Sequence, residues 1–386
     1  MTNTPEFSFV LPCLNEEMTL ATCVGKCMQS AETNGINVEV IVADNGSTDD
    51  SVSIAKALGC RVINVTRKGY GSALIAGIKS ARGRYVIMGD ADDSYDFSDI
   101  SEFVNQLRNG ADLVIGNRMK GGVQKGAMPP LHRYLGNPVL SFLGRVFYRT
   151  KVGDFHCGLR GFRRDKIIEL NLRSSGMEFA SEMICKAVMS DFKIIETPIK
   201  LYPDGRDRAP HLRSWRDGWR HLRFLLIHSP NWLFIWPGLF LFLIGLAGGA
   251  ALTLGPVNIG NVVLDVNTLV YFATALLLGL QMLSFGAFTK LFHDRFYPNK
   301  SRIKFLNMLT LEKGLIIGGV LILIGLLGAF NSVSSWHESQ FGNLDPRVVL
   351  RQVIPSATSI LAGGLFIVNF FTLAVIESLM DMTDSE

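Results

Sequence analysis

The sequence predicts an α/β domain built on a mostly parallel sheet, followed by a membrane domain of four spanning helices. Short apolar runs alternate with helical periodicity from Phe7 to Arg118, the rhythm of a parallel sheet with helices on both faces. Up to about residue 230 charged, polar and apolar residues are mixed; beyond it come long uncharged runs broken by short polar loops. Four of those runs reach the roughly 20 apolar residues that a bilayer-spanning helix needs.

In chain order, FSFVLP reads as a strand and EEMTLATCVGKCMQSAETNG as an amphipathic helix ending at Gly35. VEVIVAD is a buried strand, DDSVSIAKALG a helix and CRVINV a strand. GSALIAGIKSARG is a helix, YVIMGD a strand, SDISEFVNQLRNG a helix capped by Ser98 or Asp99, and ADLVIGNR a further strand. The expected spans are Trp232–Leu254, Thr268–Thr289, Gly314–Ser332 and Ser356–Ile376. One such run fits a core helix; four uncharged runs in succession fit a membrane. The chain therefore divides into a soluble domain (1–205), a basic interfacial segment (206–230) and a membrane domain (231–386).

Orientation follows from the basic residues. Arg206, Arg208, Arg213, Arg216, Arg220 and Arg223 precede the first span, and Lys290, Arg295, Lys300, Arg302, Lys304 and Lys313 lie between spans two and three. The other two loops hold only Arg347 and Arg351. Positive residues mark the cytoplasmic side, so the expectation is a multi-pass protein of the cell membrane with the N-terminal domain and both termini in the cytosol. Phe7–Leu11 is too short for a signal peptide and runs directly into Asn15 and Glu16. All six cysteines precede the first span; Cys23 and Cys27 have no companion CxxC or histidine pair, and the set reads as reduced core residues. The net charge of +4 is modest, but its clustering near the membrane suits anionic headgroups. No nucleic-acid partner is expected; a homo-oligomer is left open.

Polar clusters fall at three strand ends: LPCLNEE (11–17), ADNGSTDD (43–50) and GDADD (89–93). In parallel sheets ligands bind beyond the carboxyl ends of the strands, so the three should line one crevice. GDADDSYDF places Asp90, Asp92, Asp93 and Asp96 within seven residues. Residues i and i+2 of an extended chain point the same way, so Asp90 and Asp92 can reach one ion. Magnesium or manganese accepts such ligands and completes its shell with substrate phosphates. Asp44, followed by the Asn45-Gly46-Ser47 turn, is placed to take a donor from a base or ribose, while Asp93, Asp96 and Asp99 read as solvated turn or cap residues.

Other nucleotide sites fail on inspection. No GxxxxGK[ST] occurs, and KGYGSAL has Leu74 where a dinucleotide fingerprint needs its third glycine. The acidic run is not a calcium loop, because Tyr95 replaces the required glycine and Ser101 the required glutamate.

P-x-x-N-E at 12–16, D-N-G-S-T-D-D from Asp44, D-A-D from Asp90, G-N-R at 116–118 and CGLRGFRR after Asp154 resemble the inverting nucleotide-sugar glycosyltransferases of the GT-A fold. The closest similarity is to the family 2 branch with dolichyl-phosphate mannose synthase and the bacterial polyprenyl-phosphate glycosyltransferases, and it covers residues 7 to about 215. The resemblance implies that Pro12, Leu14, Glu16, Val42 and Asp44 hold the nucleoside, that Asp90 and Ala91 contact the donor, and that Asp92 is the main metal ligand. It assigns Arg118, Arg133 and Asn137 to the acceptor phosphate, and Arg206 and Arg208 to a mobile loop that clamps the donor diphosphate. The chain departs from many relatives at Ser94, where they carry glutamine.

The expected reaction moves a hexose from a UDP- or GDP-linked donor to a polyprenyl phosphate, with inversion and with Mg²⁺ or Mn²⁺. A phosphate monoester is largely dianionic at neutral pH, so it needs desolvation, orientation and cation support for the leaving group rather than a base. Trp215 and Trp219 suit a segment at the headgroup level, where such a lipid is collected. A processive polysaccharide synthase is the alternative enzyme, but the chain lacks a QxxRW segment. A non-catalytic scaffold retaining the fold is the alternative from another class, and the intact Asp90/Asp92 pair argues against it.

Overall fold

The computed structural model describes residues 4–206, 214–296 and 310–382. Arg208, Arg213, Lys300, Arg302 and Lys304 lie outside the described residues. The chain forms two compact units, Met1–His228 and Ser229–Glu386.

The first unit is built on a seven-stranded sheet of order β3-β2-β1-β4-β6-β5-β7. Its strands are β1 (Phe7–Cys13), β2 (Val38–Asp44), β3 (Arg61–Asn64), β4 (Tyr85–Met88), β5 (Leu113–Asn117), β6 (Arg160–Arg163) and β7 (Ile194–Pro198). All pairings are parallel except those of β6, which runs antiparallel to both β4 and β5. The central strands are apolar on both faces, as a sheet covered on both sides requires, and Phe7, Phe9, Ile41, Val42 and Ile87 are fully enclosed. The expected mostly parallel sheet is present. Two strands go beyond the expected set: β6, whose RGFR is short and charged, separates β5 from β4, and β7 lies at the edge beside β5.

The helices of this unit are α1 (Leu20–Asn34), α2 (Ser51–Ala57), α3 (Tyr70–Ser80), α4 (Ser101–Arg108), α5 (Arg118–Gly121), α6 (Asn137–Tyr148), α7 (Arg164–Glu169), α8 (Phe179–Met189) and α9 (Ser214–Ile227). α1 closes at Gly35, which takes the left-handed conformation (φ 57°) as the sequence suggests. The expected cap of α4 is not formed. Ile100 holds the N-cap position, and the Ser98 hydroxyl donates instead to Asp96 Oδ1 at 2.6 Å.

The second unit contains α10 (Trp236–Leu254), a short hairpin of β8 (Val257–Ile259) and β9 (Val262–Leu264), α11 (Val266–Phe296), α12 (Leu311–Glu338) and α13 (Pro346–Met382). Four stretches are long and apolar enough to cross a membrane: Asn231–Leu254, Val266–Phe292, Leu311–Glu338 and Pro346–Leu379. Each contains an expected span. Arg347 and Arg351 stand on the first turns of α13 rather than in a loop, and both pair with Asp265. The Asn369 amide donates to Ser284 Oγ at 2.9 Å, a polar tie between α13 and α11 of the kind that joins helices in lipid.

Candidate active site

The parallel register of β1, β2 and β4 delivers the three polar strand ends to one edge of the sheet. Cys13 pairs with Asp44, and Val10 with Met88, so the chain leaves all three strands side by side. The first two ends are knitted together. Asn15 and Glu16 donate their backbone N–H groups to Ser47 Oγ (2.9 Å) and Ser51 Oγ (2.8 Å), and Asn15 Oδ1 accepts from Thr48 N at 2.7 Å. Asp44 accepts from Gly46 N and Ser47 N, both at 3.1 Å, so its carboxylate shapes the turn that follows it. Pro12 and Leu14 are partly exposed at this edge, whereas Val42 and Ala91 are enclosed beneath it.

The acidic run after β4 sorts into two pairs. Asp93 turns away with a left-handed backbone (φ 63°) and pairs with Lys26 at 2.8 Å, and Asp96 accepts from Ser98. Asp90 and Asp92 stay on the crevice. Asp90 Oδ1 accepts from the Tyr70 phenol at 2.8 Å, and Asp92 Oδ1 accepts from Ser94 N (3.1 Å) and Ser94 Oγ (2.7 Å). Ser94, the departure from the glutamine of many relatives, thus orients the second aspartate.

The positive partner of these acids is Arg206. Its guanidinium donates to Asp92 Oδ2 and lies 3.4 Å from Glu16 Oε2, bridging two strand ends. The approach is set by backbone pairing: Gly205 N donates to the Asp92 carbonyl (2.9 Å) and Tyr202 N to the Ser94 carbonyl (3.0 Å). Burial, then the neighbouring Asp92 charge, pushes the Asp90 carboxyl up to about 6; Tyr70, Arg206 and Arg118 pull in the opposite direction.

A divalent ion fits this arrangement. No group of three or more His, Cys, Asp or Glu side chains gathers for a metal among the described residues. Two carboxylates suffice for Mg²⁺ or Mn²⁺ when substrate phosphates complete the shell. Each carboxylate here has one oxygen tied by a hydroxyl, the second oxygen of Asp92 meets Arg206, and burial disfavours the charged form of Asp90.

The residues assigned to the acceptor are placed differently from one another. Arg118 opens α5 and is buried, with Nε 2.7 Å from Asp154 Oδ2 and Nη2 2.8 Å from Asp154 Oδ1. Burial pushes the Asp154 carboxyl up, but the charge and hydrogen bonds of Arg118 outweigh it and hold the group below the usual range. Arg118 is therefore a closed, bidentate pair rather than an open cation, and Asp154 is its partner. The sequence offered Asp154 only as the residue ahead of CGLRGFRR. Arg133 sits in a π-helical turn (His132–Gly136) with its guanidinium 5.5 Å from the Tyr134 ring centre. Asn137, Ser141 and Arg145 on one face of α6 line a cavity of about 290 Å³ with Lys120 and Asp154 opposite.

Sheet, crevice and membrane helices together define a membrane-bound glycosyltransferase. The family model for glycosyl transferase family 2 matches residues 8–170, and that for the family 2 C-terminal transmembrane region matches residues 287–377. The low-salt glycan biosynthesis hexosyltransferase Agl6 of Haloferax volcanii is 39% identical over 343 residues, covering 88% of this chain and 82% of the relative. The chain belongs to glycosyltransferase family 2. The dolichyl-phosphate hexose transferase of Haloferax volcanii is 28% identical over 205 residues, 53% of this chain and 84% of that protein. Among solved structures, glucosyl-3-phosphoglycerate synthase from Mycobacterium tuberculosis, in complex with Mn²⁺, UDP and glucosyl-3-phosphoglycerate, is 22% identical with a TM-score of 0.44, covering 58% of this chain and 78% of that one.

Proposed function

We propose that the protein transfers a hexose from a UDP- or GDP-linked donor to a polyprenyl phosphate, with inversion at the anomeric carbon. The observation that carries this reading is the Asp90/Asp92 pair facing Arg206 and Glu16 at the carboxyl edge of the sheet. It provides anionic ligands and a guanidinium at one point, which a nucleoside diphosphate leaving group needs. The name of the dolichyl-phosphate hexose transferase relative supports a polyprenyl-phosphate acceptor. The four apolar helices keep the enzyme where such a lipid resides.

In this reading Glu16 and Asp44, with Pro12 and Leu14, bound the nucleoside, and Asp90 and Asp92 hold the divalent ion. That ion, when bound, neutralises charge on the leaving diphosphate. Arg206 exchanges Asp92 for a diphosphate oxygen as the donor enters, and Arg208 belongs to the same segment. The acceptor phosphate, already dianionic, attacks the anomeric carbon from the face opposite the diphosphate. One C–O bond forms as the other breaks, and the leaving diphosphate takes the electron pair, so no side chain must remove a proton. Arg133 and Asn137 orient the acceptor phosphate, and Arg118, paired with Asp154, is assigned to the same acceptor side. The soluble domain (1–205), interfacial segment (206–230) and both termini are assigned to the cytosolic face of the cell membrane, and residues 231–386 to the bilayer.

Purified full-length protein is offered a panel of sugar nucleotides with Mn²⁺ and a polyprenyl phosphate, and the lipid fraction is read by mass spectrometry. A polyprenyl-phosphate hexose that forms with one donor supports the reading. Transfer to lengthening glycan, or donor consumption without a lipid product, overturns it.

A further inference from the structure

The KGYG segment at 68–71 has no place in the roles described so far. Its tyrosine opens α3 and donates its phenol to Asp90 Oδ1 at 2.8 Å. Asp90 Oδ2 accepts no hydrogen bond among the described residues. A methyl group at Gly158 would stand 2.9 Å from that oxygen, so a side chain there would crowd it, and only glycine leaves the space beside Oδ2 open. An aspartate carboxylate turns broadly about its last torsion, and the phenol's hydrogen bond favours one orientation of it.

The backbone that carries Tyr70 is fixed as firmly. Gly69 adopts φ +128°, and a Cβ there would lie 2.1 Å from the Ser175 carbonyl oxygen. At Gly71 a Cβ would lie 2.2 Å from the Ser174 carbonyl oxygen. The two glycines seat the start of α3 directly on the 174–176 segment, and Ser72 N donates to Ser175 O at 3.3 Å. The tyrosine between them has little freedom to move off Asp90.

We propose that Tyr70 is a positioning residue, which fixes the Asp90 carboxylate so that Oδ2 meets the divalent ion of the donor complex. This rests on the metal-assisted reading above. Groups that hydrogen-bond metal ligands orient them, and their loss typically costs ten- to a hundredfold in metal affinity. A phenol that only satisfied its own hydrogen-bonding need would carry no such cost.

Tyr70→Phe removes the hydroxyl alone. Mn²⁺ is titrated into full-length wild type and variant in detergent, with free Mn²⁺ read by electron paramagnetic resonance and melting temperature recorded in parallel. The expected result is a dissociation constant raised about ten- to a hundredfold, with melting shifted by no more than about 4 °C. An affinity within about twofold of wild type overturns the proposal and leaves the glycosyl-transfer reading standing. A weaker affinity accompanied by a larger loss of melting temperature also overturns it, because Tyr70 is then a structural support. Absence of Mn²⁺ binding in the wild type both with and without UDP or GDP removes the metal and the positioning role together.

Discussion

Arg206 lays its guanidinium between Asp92 and Glu16, residues supplied by the ends of two neighbouring strands. A cation facing the acidic cluster is thus supplied by the chain itself. In the proposed reaction a donor diphosphate and its metal displace or recruit that side chain, so Arg206 would answer to both carboxylate and phosphate.

Arg206→Ala is expected to have opposite effects on two measurements. Transfer should fall about ten- to a few-hundredfold, because a charge-assisted contact to the diphosphate contributes roughly 1.5–3 kcal/mol. Mn²⁺ measured alone should bind at least as tightly as in wild type, because Asp92 has lost its internal partner. Arg206→Lys should not restore full activity, since a point charge cannot span Asp92 and Glu16 as the planar fork does. Parallel loss of transfer and Mn²⁺ affinity would place Arg206 in support of the carboxylates only.

Arg118 and Arg133 should separate cleanly. Arg118→Ala leaves the buried Asp154 carboxylate without its partner, a change that costs about 3–5 kcal/mol of stability. Thermal melting should drop sharply, and Arg118→Ala with Asp154→Ala should recover part of the loss. Arg133, partly exposed on its π turn, should melt like wild type when changed to alanine, while lipid transfer falls about ten- to a few-hundredfold. Donor affinity should survive in Arg133→Ala; its collapse would move Arg133 into the nucleotide site.

Acid sensitivity is expected from a buried imidazole on α9. His221 Nδ1 lies 2.8 Å from the Ser181 hydroxyl, and its ring packs edge-on against His156 with centres 4.4 Å apart. Burial pushes the His221 imidazole down to about 4; Asp217 opposes this and Arg160 adds to it. An unfolded histidine takes its proton near pH 6.5, whereas the folded one stays neutral until about pH 4. Stability from this group is therefore complete above about pH 6.5 and is lost as pH falls, by up to about 1.4 kcal/mol per unit. Melting of the full chain from pH 7.5 to 5 should show the fall, with a shallower slope in His221→Asn. Equal slopes would assign the acid loss to other groups.

Much of the catalytic unit was legible in the sequence because its apolar strands and helical periods do not depend on distant partners. Phe7–Cys13, Val38–Asp44 and Tyr85–Met88 fall where the alternating runs place them, and so do the polar ends that line the crevice. β6 was not legible. Arg160–Arg163 is too short and charged to stand out as a strand, and becomes one through its antiparallel pairing with β4 and β5. The same limit hid Tyr70 and Asp154, whose partners Asp90 and Arg118 lie 20 and 36 residues away in sequence. Arg118 was visible as a polar strand end, but its closure by Asp154 is a tertiary fact that no spacing announces.

The most direct test compares two adjacent aspartates whose side chains face different partners: Asp92 meets Arg206 on the crevice, and Asp93 meets Lys26 outside it. Asp92→Asn and Asp93→Asn differ from wild type by the same atoms, and lipid-product formation is measured for both with Mn²⁺ and the active donor. Asp92→Asn should lose on the order of a hundredfold or more, as expected for a group that supports the leaving charge, while Asp93→Asn stays within about threefold of wild type. Equal losses in the two variants would contradict a single cation-binding face built from Asp90 and Asp92.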